Sequence, residues 1–201
     1  MKKVILSLTL FVAAFGMASL VSCDNVDDYN SNIHDPALPA AAIQAVDLNL
    51  PSGTKWSNMN LGATTVYDYG TYYTWNADIV SKVWGSEWTL PTKDQLQELF
   101  NGCTWDSFTY NGKSLIVGTS KYAEEGTEPA KIYIALSGQR EPEKTATKYL
   151  GARVYFWTSE ENADNTENAY CVYAMKGKSS YTFTTEDEIK TTQNVIRAVK
   201  K

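Results

Sequence analysis

Histidine is almost missing from this chain. Its one imidazole, His34, stands beside Asp35-Pro36 in a stretch without apolar periodicity. A Ser-His-Asp or Cys-His arrangement needs an imidazole next to its nucleophile inside a packed domain. Zinc sites usually need several His or Cys ligands. These residues build neither. Basic blocks are missing too: 18 Lys and Arg face 23 Asp and Glu, a net charge of -5. That excludes the electrostatic footprint of a nucleic-acid binder. Cysteine is scarce, with Cys103 and Cys171 as the two beyond residue 23. In an oxidising compartment two cysteines can pair, whereas free cysteines often serve as small buried apolar groups. A disulfide needs Cα atoms within about 7 Å, so the sequence leaves both outcomes open.

The amino terminus is explicit. Met1-Lys2-Lys3 is a positive start, and residues 4–20 form an almost unbroken apolar run. That layout predicts a secretory signal peptide, with a spanning helix as the competing reading. Leu20-Val21-Ser22-Cys23 decides between them, because it resembles a bacterial lipobox with cleavage before Cys23. Residues 1–22 are therefore expected to be a lipoprotein signal peptide, and Cys23 the lipidation site. Each buried methylene contributes about 0.8 kcal/mol, so several acyl chains anchor stably where one does not. Asp24-Asn25-Val26-Asp27-Asp28 resembles the export tag of surface lipoproteins in Bacteroidota. A short solvated charge run is the alternative. The expectation is a protein tethered through lipid to the outer membrane or cell surface. Residues 23–42 read as a flexible tether, and 43–201 as one domain.

Thirteen Tyr, six Trp and six Phe among many turn residues indicate a β-rich, loop-rich domain. Val46-Asp47-Leu48-Asn49-Leu50 alternates as a half-buried strand does, and Pro51-Ser52-Gly53-Thr54 makes a turn into Lys55-Trp56, so a hairpin opens the domain. Residues 67–84 read as an irregular aromatic region. Trp88-Thr89-Leu90 ends at Pro91, and Thr92 with Gln95 three residues on predicts a capped helix. Its apolar stripe is Leu96, Leu99 and Phe100, and Asn101-Gly102 predicts a left-handed stop. Asn111-Gly112 predicts a type I′ hairpin. Residues 131–136 read as a central strand, 141–148 as a surface loop, 153–157 as a strand and 158–168 as an acidic loop. Residues 169–175 and 179–184 read as a second hairpin, and 194–199 as the last strand.

Several segments together resemble a known family. Val46-Asp47-Leu48-Asn49-Leu50-Pro51-Ser52-Gly53-Thr54-Lys55-Trp56 resembles the "VDLGLPSGTKWA" opening of the Fibrobacter succinogenes major paralogous domain. Asn60-Leu61-Gly62-Ala63 is similar to its "NVGA", and Tyr69-Gly70 with Tyr73 and Trp75 to "YGxYxxWG". Trp88 to Thr92 resembles "WRLPT", and Cys103-Thr104-Trp105 resembles "CTW". Gly138-Gln139-Arg140 is similar to "GYR", Tyr155-Phe156-Trp157-Thr158-Ser159 to "GxYWSS", and Val195 to Val199 to "VRPV". Thr89, Asn76 and Ile134-Ala135-Leu136-Ser137 depart from that pattern. The resemblance implies an α+β, C-type-lectin-like fold: small antiparallel sheets, one or two helices, long irregular loops and adjoining terminal strands. It implies secreted or lipid-anchored proteins mostly without a known activity, and fold analogy alone transfers no function.

No catalytic residue is expected, and no cofactor. The paired cysteine site of formylglycine-generating enzymes has no counterpart around Cys103 or Cys171. A hydrolase acting on polysaccharide would need two placed carboxylates. Glu160, Glu161 and Asp164 crowd hard oxygens into one loop and are candidate calcium ligands. Their spacing fits no EF-hand, and the Glu-Pro-Asn and Trp-Asn-Asp motifs of sugar-binding C-type lectins are missing. The expected function is a non-catalytic binding module for a glycan or surface protein, or else a structural or adhesin subunit of a surface assembly. Tyr73, Trp75, Arg140, Trp157 and Glu160 are the candidate ligand surface, since aromatic faces stack and Arg reads carboxylates. The alternative is that Trp75 and Trp157 are core and Arg140 holds a loop by hydrogen bonds, and for Trp157, inside a strand, core is the preferred reading.

Overall fold

A computed structural model describes residues 43–177 and 180–201. The residues read as signal peptide (1–22) and tether (23–42), with Cys23, the acidic run and His34 among them, lie outside the described residues. Contacts divide the chain into Met1–His34 and Asp35–Lys201, and every described residue lies in the second unit.

The domain opens with β1 (Ala45–Asp47) and β2 (Lys55–Ser57), followed by α1 (Ile79–Trp84), β3 (Trp88–Thr89) and α2 (Lys93–Gly102). Then come β4 (Cys103–Tyr110), β5 (Lys113–Ser120), β6 (Lys131–Ala135), β7 (Gln139–Arg140) and β8 (Thr147–Lys148). The long strands β9 (Arg153–Glu161), β10 (Asn168–Lys176) and β11 (Tyr181–Ile189) precede the short β12 (Val199–Lys200). Four small sheets result, ordered β1-β2-β12-β3, β11-β10-β9, β4-β5-β6 and β7-β8. All their strand pairings are antiparallel. With two short helices beside them, the class is α+β. Among the described residues, no helix is long and apolar enough to cross a membrane.

Local chemistry explains the elements. Thr92 Oγ1 accepts from the Gln95 N–H while Gln95 Oε1 accepts from the Thr92 N–H, a complete capping box at the start of α2. Leu96, Leu99 and Phe100 are buried on one helix face, each contributing about 1.5–3 kcal/mol. Phe100 stacks on Phe183 at 4.2 Å and lies 6.5 Å from Phe156, which seats α2 on the β9–β11 sheet. Asn111 and Gly112 both have positive φ, 47° and 73°, the signature of a type I′ turn joining β4 to β5.

Five expectations are corrected. Gly102 is not a left-handed stop: the helix runs straight into β4, and Cys103 is extended at φ −117°. Glycine is needed there for space, since a Cβ would sit 2.5 Å from Leu50 Cδ2. The strand at 131–135 is an edge, and β5 is central. The acidic loop starts later than expected, because β9 continues to Glu161 opposite Ala169 across a register shift. The expected loop 141–148 contains β8, which pairs with β7. The aromatic region holds α1, whose apolar face is too short to show helical period.

Two apolar clusters fill the interior. One gathers Leu48, Trp56, the α2 face, Ile116, Ile134 and Phe156. The other gathers Leu61, Val80, Leu90, Tyr155, Trp157, Cys171 and Ile196. Arg197 is 0 % exposed between strands. Its Nε donates to Asn60 Oδ1 at 2.9 Å, Nη1 to the Ser57 carbonyl at 3.0 Å and Nη2 to the Tyr133 carbonyl at 2.7 Å. Burial pulls its pKa down to about 9, so it stays charged at neutral pH. One side chain thereby ties the first sheet, the Asn60 turn and the β6 edge together.

Candidate functional site

An open cleft of about 440 Å³ lies where the 69–72 segment faces β7 and β8, lined by Tyr69, Gly70, Thr71, Tyr72, Arg140, Thr147 and Leu150. That volume is in the range of small-ligand sites. Backbone pairing builds it. Tyr73 bridges Asn194 and Arg140 bridges Gln193, so one extended segment holds both walls. Gly138 lets β8 approach: its φ is 64°, and a Cβ would fall 2.0 Å from the Lys148 carbonyl. No other residue fits there.

Tyr72 and Arg140 form the centre. The guanidinium lies 4.0 Å from the Tyr72 ring centroid, a cation–π contact. Arg140 Nε donates to Thr147 Oγ1 at 3.2 Å, and the Tyr72 hydroxyl donates to the Ser137 carbonyl. Burial raises the Tyr72 pKa, while Thr147 and the Arg140 charge pull the other way. Glu141, next to Arg140 in sequence, is engaged by Lys144 at 2.6 Å and by Lys148. Among the described residues no carboxylate pairs with Arg140. The cleft thus offers threonine hydroxyls, the half-buried Tyr72 ring beneath its guanidinium, and the Arg140 donors beyond Nε. That set can bind and orient, and it carries no nucleophile–base pair.

Below the cleft rim, Asp68 accepts from Lys113 Nζ at 2.5 Å, Thr64 Oγ1 at 2.8 Å and the Thr65 N–H at 3.0 Å. Burial opposes ionisation, but these hydrogen bonds outweigh it and bring the pKa to about 2.

The other expected site residues go elsewhere. Trp157 is not on a surface: it is 0 % exposed, and its indole donates to the Tyr73 carbonyl at 2.8 Å. Alternation along β9 turns it into the second cluster. Trp75 is half-buried, donates to the Thr158 carbonyl at 2.8 Å and lies under Lys190 at 4.7 Å. Tyr73 packs on the same cluster. These three are brought together as packing, and only Arg140 of the five reaches the cleft. Glu160 pairs with Lys93 at 2.9 Å and Glu161 with Lys190 at 3.2 Å. Asp164 is exposed in an Asn162-stabilised turn. Among the described residues no group of three His, Cys, Asp or Glu could hold a metal ion. Cys103 and Cys171 are free and buried, in different clusters.

Thr147 and Leu150 are cleft residues that sequence reasoning passes over, and Tyr72 enters it only as one ring of the aromatic region at 67–84. Tyr72 stands next to Tyr73 in the same aromatic run, and nothing in one dimension tells which neighbour faces solvent. Comparison of the chain with family profiles, curated proteins and solved structures gives no match.

Proposed function

We propose that this protein is a lipid-anchored cell-surface binding module of C-type-lectin-like fold, recognising a glycan or protein ligand without catalysis. The Tyr72–Arg140 cleft carries the reading, because it sets the half-buried Tyr72 ring and the Thr71 and Thr147 hydroxyls around a guanidinium with which no carboxylate pairs among the described residues. Such a lining favours polar ligands with flat or hydroxylated faces. Small antiparallel sheets, the pairing of β12 with β2 and the order of the family-like segments support the lectin-like assignment. The lipobox-like Leu20-Val21-Ser22-Cys23 supports the anchor.

The test is a glycan array together with a surface-protein pull-down, using the full chain in mild detergent. Retention of a ligand that Tyr72→Ala releases is the expected outcome. Blank results in both assays with folded protein would count against the reading. Cys23→Ala should abolish lipid labelling, and unchanged membrane fractionation would remove the anchor.

A further inference from the structure

A second arginine repeats the arrangement of the first. Arg153 opens β9, and its guanidinium lies 4.2 Å from the Tyr149 ring centroid and 5.5 Å from that of Tyr173. Nη1 donates to the Tyr155 hydroxyl at 2.8 Å. Among the described residues no carboxylate pairs with it. Glu186 on β11 is the acid whose field reaches Tyr155, and it is exposed.

The two arginines are structurally joined. The Gly138 N–H donates to the Arg153 carbonyl at 2.7 Å, which ties the strand carrying Arg140 to the start of β9. Between the two shelves lies the step Tyr149-Leu150. Leu150 lines the Arg140 cleft, and Tyr149 carries Arg153. Both step residues are open to solvent, at 46 % and 51 %. In a chain of net charge -5, two neighbouring guanidiniums without acids are a local reversal of sign. Each lies over a tyrosine ring and gives one N–H to a hydroxyl, Arg140 Nε to Thr147 and Arg153 Nη1 to Tyr155, so its rotamer freedom is already spent while its remaining N–H groups stay open.

We propose that this surface is a track for an acidic polysaccharide, with uronic-acid carboxylates read by Arg140 and Arg153 and a sugar ring resting on the exposed Tyr149-Leu150 step. The inference rests on the binding-module reading and names its ligand class. A carboxylate accepts two parallel N–H bonds from a guanidinium, which a neutral sugar cannot do. The exposed Tyr149-Leu150 step and the Thr71 and Thr147 hydroxyls suit a sugar better than an extended peptide, which would seek an unpaired strand edge.

Affinity electrophoresis of the full chain in mild detergent tests this, with gels containing polygalacturonate, its methyl ester, dextran or polyglutamate. Alginate and hyaluronan serve as further carboxylate glycans. Retardation by at least one carboxylate glycan is expected, weakening with added salt, and none by the methyl ester or dextran. Arg140→Gln and Arg153→Gln should each weaken binding about tenfold to a hundredfold. Arg140→Lys keeps the charge without the fork, so it should recover only part. Both side chains lie outside the two clusters, so unchanged circular dichroism and melting are expected of the variants. Equal retardation by dextran, or binding that survives both substitutions, overturns the acidic-glycan inference and leaves the module reading standing. Retardation by polyglutamate alone replaces the glycan with a peptide. No retardation in any carboxylate glycan overturns the inference, and blank arrays and pull-downs as well would overturn the module reading with it.

Discussion

Replacing Arg197 by Met should cost this domain roughly 2 kcal/mol of stability, working from three acceptors and one buried charge. Met matches the length of the stem but donates nothing. The Asn60 side chain and the Ser57 and Tyr133 carbonyls would lose bonds of 2.9, 3.0 and 2.7 Å. A buried acceptor stripped of its donor costs about 1–3 kcal/mol, which puts the gross loss between about 3 and 9. Against this stands the relief of no longer burying a cation. That burial lowers the pKa from 12.5 to about 9, equivalent to about 5 kcal/mol at the usual conversion. The midpoint of the losses exceeds the relief only slightly. The balance tips further because Met leaves unfilled space beside three now-dry oxygens. For a domain of this size each kcal/mol moves Tm by about 2–4 °C, so a fall of about 4–8 °C is expected. Urea melts read by tryptophan fluorescence, with the m-value checked for two-state behaviour, give the energy directly. Lys55→Met, which removes an exposed pair to Asp47, is the control and should move stability by less than about 1 kcal/mol. Arg197→Lys should fall between wild type and Met. A Met variant melting within 2 °C of wild type, roughly the effect of 1 kcal/mol or less, would refute the clamp: packing would then replace the guanidinium without loss.

Three further outcomes follow from the same structure. Folding lowers the Asp68 pKa from 3.8 to about 2, so its contribution is intact above the upper value and lost as pH falls through the lower. Asp68→Asn should lower stability by about 2 kcal/mol at most at pH 7, and acid melts of the two proteins should converge near pH 2. Parallel curves down to that pH would dismiss the assignment. Burial raises the Cys103 thiol to about 12 and pushes Cys171 up further. Neither should take iodoacetamide at pH 8 in the native protein, and both should in urea; a chain unlabelled in urea without reductant would reveal a disulfide instead. Gly102→Ala gains about 1 kcal/mol of helix propensity but meets Leu50 and costs about 1–3 kcal/mol of overpacking. Net destabilisation by denaturant melt is expected, and a more stable variant would discard the close-approach argument.

Elements whose signals are local were legible. Thr92 and Gln95 specify the start of α2 within four residues, and Asn111-Gly112 specifies its hairpin by φ preference alone. The opening hairpin and the buried face of α2 followed from spacing. What stayed hidden depends on contacts across the chain. Gly102 looks like a stop because nothing nearby shows that Leu50 will press on it. The 158–161 stretch is polar enough to pass for loop, yet β10 extends the ladder through it. The cleft is the clearest case: Tyr72 and Thr147 meet only because Gln193-Asn194 pairs with both walls, and Trp157 leaves the surface by the same folding. Arg140 was legible as a guanidinium in a turn-rich segment, but not its stacking partner.

The order of the first sheet also sets when this domain can finish folding. Strand β3 touches that sheet only through β12, and β12 is built from Val199 and Lys200. Until those residues arrive, the opening hairpin and β3 have nothing between them, and the Arg197 clamp is absent. A chain emerging from a ribosome from its amino end therefore stays unlatched until residues 197–200 are free to pair. A protease that trims residues 195–201 would undo the amino-terminal hairpin's support as well, at the opposite end of the sequence.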